Sequence, residues 1–268
     1  MENAMPVETQ PVTTTKSARY TGYVLTTLFT LFMLMDAGMK FTHAPPVTEA
    51  NNQLGFPLHL VPAIAVLALA CLALYLIPRT SVLGAVLFTG YLGGAIALHL
   101  RVDNPLFSHT LFPIYIALFL WGGLWLRDAN LRELFPVTNP PSQSPSSKKL
   151  LWTGYILTAL GALFIIFTAV MKFIYVPPAG SPPPSFPLHH IHHLAYIEIA
   201  CTILYLIPRT SFAGAVLLSG YLGGATCINL RDGQSVGGAL VPVFIAVILW
   251  AGLWLRDTRI HRLLPLRG

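Results

Sequence analysis

Apolar positions in this chain run together instead of alternating with polar ones. They form eight blocks at about 20–41, 57–77, 81–100, 107–126, 151–174, 188–207, 211–230 and 237–255. Each block approaches the ~20 residues an α-helix needs to cross the hydrocarbon core of a bilayer. Helices of a soluble bundle carry charges every three or four residues along their wet faces, and these blocks do not. The pattern predicts an all-α membrane protein with eight transmembrane helices.

The blocks fall into two sets of four that repeat one another. Leu-Tyr-Leu-Ile-Pro-Arg-Thr-Ser at 74–81 returns at 204–211, Gly-Tyr-Leu-Gly-Gly-Ala at 90–95 returns at 220–225, and Gly-Leu-Trp-Leu-Arg-Asp at 123–128 returns at 252–257. Such self-similarity at a fixed spacing marks a tandem duplication. An even number of helices per copy gives both copies the same orientation, the parallel-repeat arrangement. The expected organisation is a disordered cytoplasmic tail at 1–18, a four-helix repeat at 19–135, a Pro/Ser-rich cytoplasmic linker at 136–150 and a second repeat at 151–268. Each repeat is expected to form an antiparallel four-helix bundle. The tail is polar, holds Pro6 and Pro11, and lacks the short apolar core and small-residue site of a cleavable signal.

Composition supports the membrane reading and adds sidedness. Hydrophobic residues make up 54% of the chain and charged ones 10%, against roughly 25% charged in soluble domains. Lys16, Arg19, Arg79, Arg127, Arg132, Lys148, Lys149, Arg209, Arg256, Arg259, Arg262 and Arg267 fall on the side of the termini and linker; Lys40, Arg101, Lys172 and Arg231 fall on the other. The positive-inside rule then places both termini in the cytoplasm. The net charge of +6 is a topology signal and requires no nucleic-acid partner. Cys71, Cys201 and Cys227 form no C-x-x-C pair and read as small apolar residues.

Local signals indicate how the helices pack. Pro78 and Pro208 end the second helix of each repeat, Thr80/Ser81 and Thr210/Ser211 are candidate caps for the third, and the prolines as a group fall at helix ends. Gly84, Gly90 and Gly94, matched by Gly214, Gly220 and Gly224, allow close backbone approach in lipid. Tyr91 and Tyr221 pack or hydrogen-bond beside them. Trp121, Trp125, Trp250 and Trp254 read as interfacial belt residues.

Polar residues that resist these structural explanations are the candidates for function. Acids inside a span are costly and face a bundle interior, a cavity or a partner. Asp36 lies in the first helix and its duplicate is Thr168; Glu198 lies in the sixth and its duplicate is Ala68. Lys40/Lys172 and Arg101/Arg231 recur at the outer ends of helices one and three, with Asp103 and Asp232 as nearby pairing candidates. His99 is replaced by Asn229 in the second copy. These residues, Asp36, Lys40, His99, Arg101, Lys172, Glu198, Asn229 and Arg231, form a candidate polar cavity on the outer face. It suits the head of a quinone or lipid whose tail lies between helices. Of nine histidines only His261 is cytoplasmic. His189, His190, His192 and His193 cluster at one helix start, where i,i+3 and i,i+4 spacing offers two imidazoles on one face, part of a zinc, copper or haem site.

The repeated motifs, with Met39-Lys40 and Met171-Lys172 closing helix one, resemble the DoxX-like family of small four-helix bacterial membrane proteins, here as a fused tandem duplicate. The resemblance implies a bacterial cytoplasmic-membrane location, a Glu in helix two and a His-Leu-Arg ending helix three. Glu198 meets the second only in the second repeat, and His99-Leu100-Arg101 meets the third only in the first. The family name derives from a subunit of a thiosulfate:quinone oxidoreductase, so the resemblance also suggests a redox-associated or quinone/lipid-binding accessory protein. Quinone, haem or a transition metal are the cofactor classes open to it, and the missing C-x-x-C argues against thiol–disulfide exchange. Two other functions stay open: a structural subunit of a larger membrane complex, and a small-solute or proton-coupled transporter.

Overall fold

A long apolar segment in lipid must satisfy every backbone polar group internally, and helices do this. The computed structural model describes residues 15–137, 147–176 and 186–264, and among these there is helix and turn but no strand. In chain order the α-helices are α1 (Lys16–Phe41), α2 (Pro45–Leu54), α3 (Val61–Leu76), α4 (Ser81–Arg101), α5 (Phe112–Arg127), α6 (Ala129–Leu134), α7 (Lys148–Ile174), α8 (Leu188–Leu206), α9 (Ser211–Arg231) and α10 (Val236–Arg256). A turn of 3-10 helix (Leu58–Leu60) leads into α3, and a π-helical turn (Leu106–Thr110) leads into α5.

Seven of the eight expected spans are long and apolar enough to cross a membrane. The eighth, α8, has the length, but four histidines and Glu198 make it less apolar. The expected tail and linker fall largely at 1–14 and 138–146, outside the described residues. Where they are described, the helices reach further than expected. Thr15 accepts a hydrogen bond from the Ala18 amide and starts α1 at Lys16, and α7 starts at Lys148.

Within the first half α1 packs on α3 and α5, and α4 packs on α3 and α5; within the second half α7, α8, α9 and α10 repeat that circuit. The most extensive packing between any two helices joins the halves, α4 against α9. Its closest point is glycine on glycine: a Cβ added to Gly93 would lie 1.9 Å from the Gly220 carbonyl oxygen, and one on Gly223 would lie 2.2 Å from that of Gly90. No side chain fits there, so the two backbones touch, as small residues permit in lipid. One apolar core continues through both halves, with Trp121 of the first edge-on to Phe212 of the second at 6.3 Å between centroids.

Tyr75 and Tyr205, from the repeated octapeptide, are the buried hubs. The Tyr75 hydroxyl donates to the Leu120 carbonyl at 3.0 Å and lies 3.2 Å from the Thr26 hydroxyl; the Tyr205 hydroxyl donates to Leu249 at 2.7 Å and lies 3.2 Å from Thr158. Arg127 and Arg256 lie over these rings at 5.3 and 5.0 Å.

Three local expectations are corrected. Thr80 and Thr210 do stand at the N-cap positions of α4 and α9, but their side chains make no capping bond; they donate instead to the Leu74 and Leu204 carbonyls at 2.7 Å, satisfying acceptors that the preceding helix leaves open. Trp121 and Trp250 are not belt residues, because their indoles donate inward to Thr89 (2.9 Å) and Ser219 (2.8 Å). Pro242 lies inside α10 and not at its end.

Candidate functional site

The face on which α1 and α4 end and α3 and α5 begin, called distal below, gathers the polar residues singled out by sequence. They divide into four groups.

The first two groups are duplicates built differently. In the first half Lys40 pairs with Asp36, one turn back on α1, and donates to the Tyr91 hydroxyl of α4 at 2.8 Å. Tyr91 in turn donates to Asp36 at 3.3 Å. In the second half Lys172 occupies the position of Lys40, and its partner is Glu198 of α8, at 2.7 Å. Thr168, in the place of Asp36, donates to the other Glu198 oxygen at 2.5 Å, and Lys172 lies 5.7 Å from the ring of Tyr221. The Glu198 side chain is 2% exposed. Both halves therefore keep a lysine, an acid and a tyrosine in one cluster, with the acid supplied by α1 in one case and by the second helix of the repeat in the other.

The third group closes turns. His99 Nδ1 lies 2.8 Å from the Asn104 amide, and Gln234 donates to Asn229 at 3.2 Å, so histidine and asparagine at duplicate positions make the same i,i+5 bond. Arg101 and Arg231, two residues further on, converge on the end of α2. Arg101 donates to the Leu54 carbonyl at 2.8 Å, Arg231 pairs with Asp232 at 2.6 Å, and a Cβ on Gly55 would meet a guanidinium nitrogen of each at 3.1 Å. Gly55 adopts φ +61°, the left-handed conformation that ends a helix at glycine. Leu54 and Phe56 beside it pack on Leu98 of α4 and Ile228 of α9, so α2 covers the distal end of the seam between the halves.

The fourth group was not legible as a unit. Asp103, expected beside an arginine, instead meets the Nε2 atoms of His189 at 3.0 Å and His190 at 2.7 Å, across the two halves. Hydrogen bonds from His190 and then His189 hold its carboxyl below the usual carboxylate range. Of the remaining histidines in the predicted cluster, His192 stacks on Phe173 at 5.6 Å and His193 is exposed. The duplicate of Asp103 is Gly233, and both have positive φ, +53° and +69°. Glycine and aspartate are both residues that take this left-handed conformation, so the turn accepts either, and it is the contact with the two imidazoles that sets Asp103 apart from its copy.

Lys172 and His192 also line a cavity of about 200 Å³ with Tyr175, Val176, Leu188 and Ile191, between the distal ends of α7 and α8. Of the eight residues of the candidate polar cavity, Lys172 is the member that borders it.

The sequence pattern of the DoxX-like family matches residues 24–123 and again 156–252. The chain belongs to the DoxX-like family. As a DoxX-like protein it carries the family unit twice in tandem, and its apolar helices make it a multi-pass integral membrane protein. No curated protein and no solved structure matches it. The acid expected of a DoxX-like unit in helix two is present in the second unit alone, yet in the first Asp36 fills the same electrostatic role.

Proposed function

We propose that this DoxX-like protein binds the polar head of an amphiphile, a lipid or a quinone, at its distal face, as an accessory protein of a membrane redox system. The reading takes the chain as two four-helix bundles, residues 19–135 and 151–268, spanning a bacterial cytoplasmic membrane eight times with both termini in the cytoplasm. The twelve-to-four division of Lys and Arg supports that orientation, and it makes the distal face the outer one.

The cavity beside Lys172 carries the proposal. Its size, about 200 Å³, is below the roughly 300–1,000 Å³ of pockets that enclose a drug-sized ligand, which suits a headgroup and not a whole hydrophobic molecule. Lys172 and His192 offer hydrogen-bond donors for phosphate or carbonyl oxygens, and Tyr175, Val176, Leu188 and Ile191 give the apolar border an acyl or isoprenoid tail needs.

Organic extracts of the full chain purified in mild detergent test this by mass spectrometry. The expected result is one lipid or quinone class enriched over the bulk membrane, and reduced by His192→Ala and by the charge-neutral pair Lys172→Met/Glu198→Gln. Extracts matching bulk lipid in all three proteins would overturn it.

A further inference from the structure

Asp103, His189 and His190 offer more than a hydrogen-bonded cluster. Both imidazoles direct Nε2 to one carboxylate oxygen, Oδ1, at 3.0 and 2.7 Å, and their rings are 4.1 Å apart between centroids. The three donor atoms lie within 4.8 Å of one another. Metal–nitrogen and metal–oxygen bonds of about 2.0–2.2 Å place neighbouring donors on one ion roughly 3 Å apart, and the two nitrogen-to-oxygen separations match that spacing.

We infer that Asp103, His189 and His190 form a binding site for one divalent transition-metal ion, which ties the α4–α5 turn of the first half to the start of α8 in the second. Imidazole suits zinc, copper, iron and nickel, whereas a site for calcium or magnesium would be dominated by oxygen. Two imidazoles and one carboxylate leave further coordination positions to water or to an external ligand. An ion held by both Nε2 atoms needs each imidazole in the tautomer that carries its proton on Nδ1, and it takes the position between the three donor atoms where the two side-chain hydrogen bonds now meet.

The duplicate comparison supports the assignment independently. Gly233 makes the turn of Asp103 without side-chain strain, and the amides at 103 and 233 donate to the Leu100 and Leu230 carbonyls at 3.2 Å in each case. The turn itself does not ask for an acid. His190 is likewise peculiar to the second half, where the first has Leu60. The two residues special to this contact come from different repeats and meet each other.

This site is separate from the headgroup cavity, which takes His192. The histidines at 192 and 193 are therefore the internal controls. The full chain, carried on a histidine-free affinity tag and stripped with chelator, is titrated with Zn²⁺, Ni²⁺ and Co²⁺ by calorimetry, with visible absorption for Co²⁺. The expected result is saturable binding of about one ion per chain, weakened roughly tenfold or more by Asp103→Asn, His189→Ala and His190→Ala, and retained in His192→Ala/His193→Ala. His189 is 59% exposed in its side chain, so His189→Ala keeps the test valid if another variant does not fold. Absence of saturable binding overturns the assignment. So does binding that survives Asp103→Asn but fails in the 192/193 double variant, which would place the ion among helix histidines alone.

Discussion

Thr168 donates its hydroxyl hydrogen to Glu198 at 2.5 Å, and Thr168 stands where the first repeat has Asp36. The two contacts explain each other. When the acid sits on the second helix of the repeat, the first helix needs only a hydrogen-bond donor facing it. When the acid sits on the first helix, the second needs only a small residue, the buried Ala68. What the duplicates conserve is a charge partner for the lysine, not the position of the carboxylate.

That relationship predicts a rescue. Asp36→Thr leaves Lys40 without its acid and lowers stability by about 1–3 kcal/mol, less than the 3–5 for a fully buried pair because Asp36 and Lys40 are 24% and 12% exposed in their side chains. Adding Ala68→Glu rebuilds the arrangement of the second repeat and recovers most of the loss. The measurement is the apparent melting temperature in detergent; a double variant no better than the single one refutes the equivalence.

The tyrosine hubs make a second prediction. Tyr75→Phe and Tyr205→Phe each delete a buried hydroxyl and leave the Leu120 or Leu249 carbonyl without its side-chain donor. Each change costs about 1–2 kcal/mol. Near-equal shifts in melting temperature are expected from the two, because their surroundings are duplicates.

The seam between the halves is expected to be the most sensitive element. Gly93→Val and Gly223→Val push a side chain into the facing backbone and separate α4 from α9. Loss of folded protein in size-exclusion chromatography is the readout. Gly38→Ala, with nothing near its new methyl, is the control and leaves the profile unchanged or gains up to about 1 kcal/mol from higher helix propensity.

Gly55→Ala tests the cover over that seam. It forces a Cβ into a left-handed conformation and toward both guanidinium groups, with an expected cost of about 1–2 kcal/mol. Thermal unfolding measures it, and faster proteolysis around α2 gives a second readout, because α2 is what the change releases.

The spans were legible because lipid imposes one rule on every residue within them, so absence of charge marks a helix without knowledge of its neighbours. The duplication was legible for a similar reason, since matching is internal to the chain. Short elements were not. α2 and α6 are ten and six residues long, and their stability comes from what they cover. Trp121 was misread because an aromatic near a span end fits both a lipid belt and an inward hydrogen bond, and the choice depends on which way α5 is turned. The polar candidates were legible as a set and not in their partnerships. Lys172 with Glu198 is a contact between adjacent helices whose register sequence does not fix. Asp103 with His190 joins residues 87 apart. In the sequence Asp103 stands two residues after Arg101, which makes an arginine its expected partner.

The glycine contact between α4 and α9 has a consequence for how this molecule came to be lopsided. Two separate four-helix chains meeting through such a strip would associate according to their concentration in the membrane, and each would have to carry every polar group itself. Joined in one polypeptide, the same contact forms at a fixed effective concentration set by the tether. A partner residue then needs to exist on one side alone. The acid carried on different helices in the two repeats, the histidine matched by asparagine and the aspartate that reaches across to two imidazoles are all differences that the identical chains of a homodimer cannot hold.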